Sequence, residues 1–254
     1  MKLDNSISAV VTGAASGLGE AVARALAAKD VRVTIFDMNE ELGNSVASDI
    51  NGQFVSVDVS DPESVQQGFE AARASHVQER IMINCAGIAP SAKTVSRGNA
   101  HDAALFAKTV AVNLVGSFNT ASQSAEGMTK ADPLEGSERG VIINTASVAA
   151  YDGQIGQIAY ASSKGGVVGL TLPMARDLSS HGIRVVAIAP GIFKTPMMAQ
   201  FSQEIQDALG AQVPFPSRLG EPDEFASLGV HICENQMLNG EVIRLDGAIR
   251  MAPR

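Results

Sequence analysis

The chain has 254 residues and a formal net charge of −8. It fits one large α/β domain or two small ones and lacks the basic excess that binding to nucleic-acid phosphates requires. Hydrophobic residues make up 45% of the sequence and charged residues 18%, which supports a sizeable core and excludes a disordered chain. The two cysteines, Cys85 and Cys233, have no CxxC partner or metal-ligand spacing. We therefore expect no disulfide framework, no metal site and a reducing, cytoplasmic environment.

No stretch of the sequence predicts a membrane anchor. The apolar run near the N-terminus is short and leads directly into a glycine-rich turn, so we expect no signal peptide. The other apolar stretches are far shorter than the length that spans a bilayer. Because no long linker, repeat or low-complexity tract interrupts the sequence, it predicts one domain over residues 1–254.

The first forty residues are typical of a dinucleotide-binding unit. A β-branched run at 7–12 predicts a buried strand, and the glycine-rich turn TGAASGLG follows it. A helical pattern at 20–29 and a second strand at 31–37 come next, ending in Asp37 about 20 residues beyond the turn. The glycines let the backbone approach a pyrophosphate, while an acid at this point bonds ribose hydroxyls and repels a 2′-phosphate. The sequence therefore predicts an NAD site; a glycine-rich turn with an incidental aspartate is the weaker alternative.

The alternation of strand and helix continues along the chain and predicts a seven-stranded parallel sheet with helices on both faces, an α/β fold. Further strands are expected at 53–59, 80–87, 140–144, 183–189 and 240–245, and further helices near 40–50, 62–76, 101–128, 156–178 and 223–233. Ligands bind beyond the carboxyl ends of such strands. Asp58, the segment NCAG, Ser147 and the pair Pro190–Gly191 fall at such ends. Strand termination alone explains any one of these positions, but not all four.

The segment YASSK carries the predicted proton-transfer chemistry. Tyr160 and Lys164 are four residues apart, which places both side chains on one face of a helix. A tyrosine normally loses its proton near pH 10, and a nearby ammonium lowers that pKa by favouring the phenolate. With a hydroxyl donor such as Ser147, the set can move a proton on or off an alcohol. A serine esterase is excluded, because the chain has no G-x-S-x-G motif and no following histidine with a supporting acid.

Three features depart from the regular alternation. Residues 88–100 are polar and long for a connection, and their Lys93 and Arg97 could contact an anionic part of a substrate. A plain surface insertion is the alternative. Asn113 lies within a predicted helix, where asparagine is mildly unfavourable, so we expect either a functional role or a core hydrogen bond. The segment 192–217 is rich in Met, Phe and Pro, which predicts a substrate lid or a small packed subdomain.

The motifs described above, taken together, resemble those of the short-chain dehydrogenase/reductase family. They are TGAASGLG, NCAG, the Asn113 helix, Ser147, YASSK and the pair Pro190–Gly191. The resemblance covers essentially the whole chain and implies a Rossmann fold with a seven-stranded sheet. It also implies a homotetramer or dimer assembled through the two long central helices. The family motif usually has two asparagines before Ala-Gly. In this chain the second of these positions is Cys85, so the resemblance implies only a backbone contact from Cys85 to the nicotinamide side of the cofactor.

The family resemblance also implies roles for individual residues. Asn113 would hold a water that links Lys164 to solvent, Lys164 would also hold the nicotinamide ribose, and Gln154 would touch the substrate. Asp37 would select NAD, and Ser16 agrees because NADP-preferring relatives often carry a basic residue there. The implied cofactor contacts are Gly13, Ser16, Gly17, Leu18, Asp37, Asp58, Val59, Cys85, Gly87, Tyr160, Lys164, Phe193 and Thr195.

Four further segments make the resemblance closer: RGVIINTASVAA, GQIGQIAYASSKGG, QVPFPSRLG and NGEVIRLDGAIRMAP. They are similar to family members that oxidise 3-hydroxyacyl-CoA thioesters and, in some cases, hydroxysteroids. The resemblance implies NAD-dependent oxidation of (S)-3-hydroxyacyl-CoA to 3-oxoacyl-CoA, in fatty-acid or branched-chain amino-acid breakdown. The alternatives are a hydroxysteroid or general secondary-alcohol dehydrogenase, a 3-oxoacyl carrier-protein reductase, which normally uses NADPH, and a non-catalytic scaffold subunit.

Overall fold

A computed structural model describes residues 1–196 and 198–253. The described residues form a seven-stranded parallel sheet in the order β3-β2-β1-β4-β7-β8-β9, together with a separate two-stranded hairpin, β5–β6. The strands are β1 Ser8–Thr12, β2 Arg32–Asp37, β3 Gln53–Ser56, β4 Ile81–Asn84, β5 Val95–Ser96, β6 Asn99–Ala100, β7 Gly140–Thr145, β8 Ile183–Pro190 and β9 Val242–Leu245. The helices are α1 Gly17–Ala27, α2 Glu40–Asp49, α3 Pro62–Ser75, α4 Ala103–Val110, α5 Gly116–Lys130, α6 Ile158–Leu178, α7 Gln203–Gly210 and α8 Pro222–Glu234.

The central strands are buried on both faces, which is why their sequences read as continuous apolar runs. Alternate residues of each strand point to opposite faces. On one face, the residues of the strands pack with α1, α2 and α8. On the other face, they pack with α3, α5 and α6. Val11 and Ile83 belong to the first cluster and Val10 and Met82 to the second, so neighbouring residues of one strand serve different layers of the same domain.

The predicted sheet is confirmed, and two strands, β3 and β4, end three residues earlier than expected. β3 ends at Ser56, which pairs with Asp37 at the end of β2. β4 ends at Asn84, which is level with Thr12 on one side and Asn144 on the other. The ends of β3 and β4 are therefore within one residue of the ends of their neighbours. The polar residues that follow lie together at the carboxyl edge of the sheet.

The predicted helix at 101–128 is divided by a π-bulge, a single wider turn at residues 111–115 between α4 and α5. The insertion at 88–100 contains the hairpin β5–β6, whose turn residues Arg97 and Gly98 have φ values of 50° and 80°. The described residues of the predicted lid at 192–217 include one α-helix, α7. In the described part of the chain, no helix is both long enough and apolar enough to cross a membrane.

Candidate active site

The glycine-rich turn after β1 fits closely against the segment that follows β4. Gly13 has a φ of 63°, and a Cβ there would lie 2.7 Å from the backbone nitrogen of Ala86. A Cβ at Gly19 would lie 2.4 Å from the carbonyl oxygen of Gly13. Side chains at these two positions would push the turn away from its neighbours, so glycine is required for this packing.

Helix α1 begins at this turn with a free N-terminus. Ser16 has extended backbone and its side chain makes no capping hydrogen bond. The first N–H groups of a helix have no partner within it, and together with the helix dipole they favour an anion. Gly17 has a φ of 60°, and a Cβ there would lie 3.3 Å from Pro196 Cδ and 3.7 Å from Thr195 Cβ. The start of the 192–217 segment therefore lies close to the turn. Leu18 packs against the core.

Asp37 lies beside the glycine-rich turn, at the carboxyl end of β2. Its Oδ2 atom accepts a hydrogen bond from the Ala15 nitrogen over 3.1 Å, and Oδ1 accepts one from the Asn39 nitrogen over 2.9 Å. A carboxylate has about four lone-pair positions, so two such bonds leave acceptor capacity. The structure thus brings Asp37 to the turn, in a position to receive ribose hydroxyls.

Asp58 and Val59 follow β3 on the same edge of the sheet. The Asp58 carboxylate accepts hydrogen bonds from the nitrogen and hydroxyl of Ser60, at 2.9 and 2.7 Å. Val59 is buried, and its carbonyl accepts a hydrogen bond from Asn119 Nδ2 over 3.0 Å. The Asp58 side chain therefore stabilises its own turn.

The segment after β4 is held by Thr12, which the sequence analysis did not select. Its hydroxyl accepts hydrogen bonds from the backbone nitrogens of Cys85 and Ala86, both over 3.1 Å. The Cys85 thiol accepts a hydrogen bond from Thr145 Oγ1 over 3.6 Å, and burial raises its pKa to about 11. Such a thiol is almost entirely protonated at neutral pH, which agrees with a packing role for Cys85 and not with a nucleophile.

Asn113 lies in the π-bulge and is fully buried. Its Oδ1 atom accepts a hydrogen bond from the Ile88 nitrogen over 2.8 Å, and Nδ2 donates to the Ile88 carbonyl over 2.9 Å and to Ser163 Oγ over 3.0 Å. A Cβ at Gly87 would lie 3.1 Å from Asn113 Oδ1 and 3.7 Å from Lys164 Nζ. The bulge therefore brings Asn113 next to α6, the helix that carries Tyr160 and Lys164. π-Bulges often occur at functional sites.

Ser147, Tyr160 and Lys164 meet beyond the ends of β7 and β4. Ser147 is the first residue of a short turn after β7, and its hydroxyl accepts a hydrogen bond from the Ala149 nitrogen over 3.1 Å. Lys164 is buried and donates to the Thr145 carbonyl over 2.6 Å. Its ammonium lies 5.8 Å from the centre of the Tyr160 ring. The structure therefore brings together the three residues that the YASSK motif and its upstream serine predict.

Burial controls the pKa values of this set. Burial raises the pKa of Tyr160 above its usual value, and the hydrogen bond with Ser147 opposes that shift. Burial also lowers the pKa of Lys164 to about 8. In the protein alone, the desolvation of the phenol outweighs the hydrogen bond with Ser147, so the net shift of the Tyr160 pKa is opposite in direction to the one that the YASSK motif predicts.

The structure brings only some of the remaining predicted contact residues to the site. The Phe193 ring packs into the core against Phe225 and Gly220, so its side chain does not face the site. Thr195 lies across from Gly17, as described above. The Gln154 side chain donates through Nε2 to the Ala252 carbonyl over 2.9 Å. In the described part of the chain, no group of three or more His, Cys, Asp or Glu side chains is arranged to hold a metal ion.

Besides Thr12, the sequence analysis missed Thr145 and Ser163, which position Lys164 and Asn113. Ser163 stands inside YASSK, directly before the lysine, and that position is the only signal by which it could have been found.

A glycine-rich turn before an open helix N-terminus, with a Ser-Tyr-Lys set at the same carboxyl edge of the sheet, defines an oxidoreductase of the Rossmann type. The profile of the short chain dehydrogenase family matches residues 8–206, and the chain belongs to that family. It is 46% identical over 255 residues to the 3-hydroxyacyl-CoA dehydrogenase type-2 of Drosophila melanogaster, covering 99% of this chain and 100% of that protein. It is 47% identical over 249 residues to the Homo sapiens protein of the same name, covering 96% and 95%.

A solved structure shows the same similarity. The crystal structure of 3-hydroxyacyl-CoA dehydrogenase type-2 from Mycobacterium avium superposes with a TM-score of 0.94 at 43% sequence identity. The match covers the whole of both chains. The single-domain fold is thus shared over the full length, including the insertion and the segment after β9.

Proposed function

We propose that this enzyme oxidises (S)-3-hydroxyacyl-CoA to 3-oxoacyl-CoA with NAD⁺, in a reversible reaction. The observation that carries the proposal is that Tyr160 and Lys164 lie at the same carboxyl edge of the sheet as the glycine-rich turn and Asp37. The names of the similar proteins support the substrate class. When bound, the nicotinamide would exchange a hydride with the carbon that bears the substrate oxygen.

The chain's own residues would supply the proton transfer. Ser147 would hydrogen-bond the substrate oxygen, and Tyr160 would take the hydroxyl proton during oxidation and return it during reduction. A raised Tyr160 pKa means that the phenol is protonated at neutral pH, which suits the reductive direction. Lys164, with a pKa of about 8, can exchange a proton close to neutral pH. Asn113 would hold the water that connects this lysine to solvent.

Asp37 supports NAD over NADP. Its carboxylate lies at the end of β2 and is fixed by the Ala15 and Asn39 nitrogens. A 2′-phosphate placed there would meet a second negative charge, whereas a ribose hydroxyl would find an acceptor. Ser16, at the helix start, offers no basic side chain that would compensate a phosphate.

The 88–100 insertion supports a CoA thioester as substrate. Lys93 and Arg97 are exposed and, within the residues that the structure describes, form no ion pair. The insertion is fixed near the site, because the Ala92 nitrogen donates to the Gly156 carbonyl over 2.8 Å. In a protein of net charge −8, two such cations on an insertion that is bonded to Gly156 are suited to the phosphates of CoA. The 192–217 segment would cover the acyl chain as a lid.

Exposed apolar side chains on the central helices support a homotetramer. Val115 and Phe118 are 41% and 52% exposed, and Leu172 on α6 is 43% exposed. A second copy of the chain would cover them. Size-exclusion chromatography with light scattering tests this assembly. The two free cysteines support a reducing compartment such as the cytoplasm.

The rate of NADH oxidation with acetoacetyl-CoA tests the proposed function. The same assay is run with NADPH, with a free β-keto ester and with a steroid ketone. Fast turnover with NADH and the CoA thioester alone supports the proposal. Equal rates with the CoA-free ketones would instead favour a general alcohol or hydroxysteroid dehydrogenase, and no turnover of any ketone would favour the scaffold role.

A further inference from the structure

Residues 246–253, named here the C-terminal arm, lie against the 151–156 loop that connects Ser147 to the Tyr160 helix. The Ile155 nitrogen donates to the Pro253 carbonyl over 3.1 Å. The Gln154 side chain donates to the Ala252 carbonyl over 2.9 Å. The arm therefore fixes the direction of the Gln154 side chain, which is the predicted substrate contact.

One guanidinium joins the arm to the loop. Arg244, at the end of β9, forms ion pairs with Asp246 through Nε and with Asp152 through Nη2, both at 2.7 Å. Its Nη2 also donates to the Ile249 carbonyl over 3.0 Å, and its Cζ lies 5.1 Å from the centre of the Tyr151 ring. The Arg244 side chain is 21% exposed, so solvent screens these contacts less than it screens surface pairs. Its planar donors bind two carboxylates and a carbonyl at once, which a lysine could not reproduce.

The arm also contacts the lid segment. The Phe215 nitrogen donates to the Gly247 carbonyl over 3.3 Å, and a Cβ at Gly247 would lie 2.4 Å from Val213 Cγ1. The turn at Gly247 and Ala248 has φ values of 58° and 67° and is held by the Asp246 carboxylate, which accepts a hydrogen bond from the Ala248 nitrogen. The arm is thus the connection between the lid and the 151–156 loop.

We propose that Arg244 is a positioning residue for substrate binding, which orients Gln154 by holding the C-terminal arm against the 151–156 loop. The inference rests on the proposed function, because it gives Gln154 a substrate to contact. The glycine-rich turn and Asp37 make none of the contacts described for Arg244. Loss of the guanidinium therefore affects the substrate and leaves the dinucleotide site intact.

Arg250 provides a matched control within the same arm. Its Nη1 bonds the same two partners in the arm, Asp246 over 3.3 Å and the Ile249 carbonyl over 2.7 Å. It is 63% exposed, and no hydrogen bond or ion pair among the described residues joins it to the 151–156 loop. Removing Arg250 thus takes a positive charge from the arm without separating the arm from the loop.

Steady-state kinetics with acetoacetyl-CoA test the proposal. Arg244→Gln is expected to raise KM about tenfold, with kcat and the NADH Kd within about twofold of wild type. Arg250→Gln is expected to change none of these by more than about twofold. Because Arg244 acts through Gln154, adding Gln154→Ala to Arg244→Gln is expected to give the KM of Gln154→Ala alone. The proposal would be overturned if the effects of Arg244→Gln and Gln154→Ala on KM were additive in the double variant, or if Arg250→Gln raised KM as much as Arg244→Gln does.

Hydrogen exchange gives a readout that needs no turnover. In Arg244→Gln, the Ile155 amide and the amides of the arm are expected to exchange faster together, and in Arg250→Gln the Ile155 amide is expected to keep its protection. If Arg244→Gln does not fold, Asp152→Asn breaks the same ion pair from the loop side. Unchanged exchange at Ile155 would overturn the proposal. If exchange at Ile155 is faster in Arg244→Gln but the wild-type protein does not reduce acetoacetyl-CoA, the proposed function is refuted and the structural role of Arg244 is not.

Discussion

The Asn113 amide donates a hydrogen bond to Ser163 Oγ over 3.0 Å, and this bond joins the π-bulge to α6. Ser163 in turn donates to the Tyr160 carbonyl over 2.8 Å. Both partners are buried, so neither can replace the bond with solvent. The two hydrogen bonds couple the position of Asn113 to the first turn of the helix that carries Tyr160 and Lys164.

Ser163→Ala should therefore lower the free energy of unfolding by about 1–3 kcal/mol, because it leaves a buried amide donor unpaired. The neighbouring Ser162 is exposed, and Ser162→Ala should stay within about 0.5 kcal/mol of wild type. Urea denaturation of both variants measures the difference. Equal stabilities of the two variants would show that the Asn113–Ser163 bond contributes nothing.

Tyr160→Phe should lose nearly all turnover while binding of NADH persists, because the substitution removes the proton donor and keeps the ring. Tyr151→Phe is the matched control, since Tyr151 is the only other tyrosine of the chain and its ring remains beside Arg244. NADH fluorescence titration and single-turnover rates measure the two properties separately. Parallel loss of binding and turnover in Tyr160→Phe would mean that the phenol is structural.

Lys164 should give stability an identifiable pH dependence. Its folded-state pKa of about 8 lies below the unfolded value of 10.5, so the unfolded state binds more protons between these two values. Stability should rise with pH across this window, by at most about 1.4 kcal/mol per pH unit from this group. Below pH 8 both states carry the charge, and the full cost of burying the ammonium is present.

Lys164→Met separates this contribution from those of other groups. The unfolding free energy of wild type minus that of the variant should increase between pH 8 and pH 10 in denaturant titrations. A difference that is flat or falls with pH would mean that the folded protein does not lower the lysine pKa.

Asp37→Ala should relax the discrimination against NADP, because it removes the charge that opposes a 2′-phosphate. The ratio of kcat/KM for NADP to that for NAD should rise by about tenfold or more. Glu40→Ala is the control, since Glu40 is an exposed acid three residues further along. If both variants gave the same ratio, net charge and not the position of Asp37 would set the preference.

Much of the fold follows from local pattern. The apolar runs and the turns between them predict all seven strands of the sheet and the large helices, because burial on both faces leaves a clear signal. The hairpin at 95–100 depends on the backbone of Arg97 and Gly98, and a polar segment gives little indication of it. The sequence indicates Asn113 as an unfavourable residue within one continuous helix, but it does not predict the π-bulge.

The site was predictable where its motif is local and unpredictable where distant segments meet. Tyr160 and Lys164 are one helical turn apart, so spacing alone places them together. Arg244 and Asp152 are 92 positions apart in the chain, and no pattern in the sequence connects them. The direction of the Tyr160 pKa shift depends on the balance between burial and a neighbouring charge, which only the packed structure decides.

The 151–156 loop is held from two sides by bonds between main-chain atoms, from Ala92 to Gly156 and from Ile155 to Pro253. Such bonds do not depend on which side chains stand at the bonded positions, whereas the ion pair between Arg244 and Asp152 does depend on its two side chains. Substitutions in the insertion or in the C-terminal arm that keep this ion pair can therefore change the side chains around the loop without releasing it. This arrangement allows substrate range to diversify during evolution while the proton-transfer chemistry stays fixed.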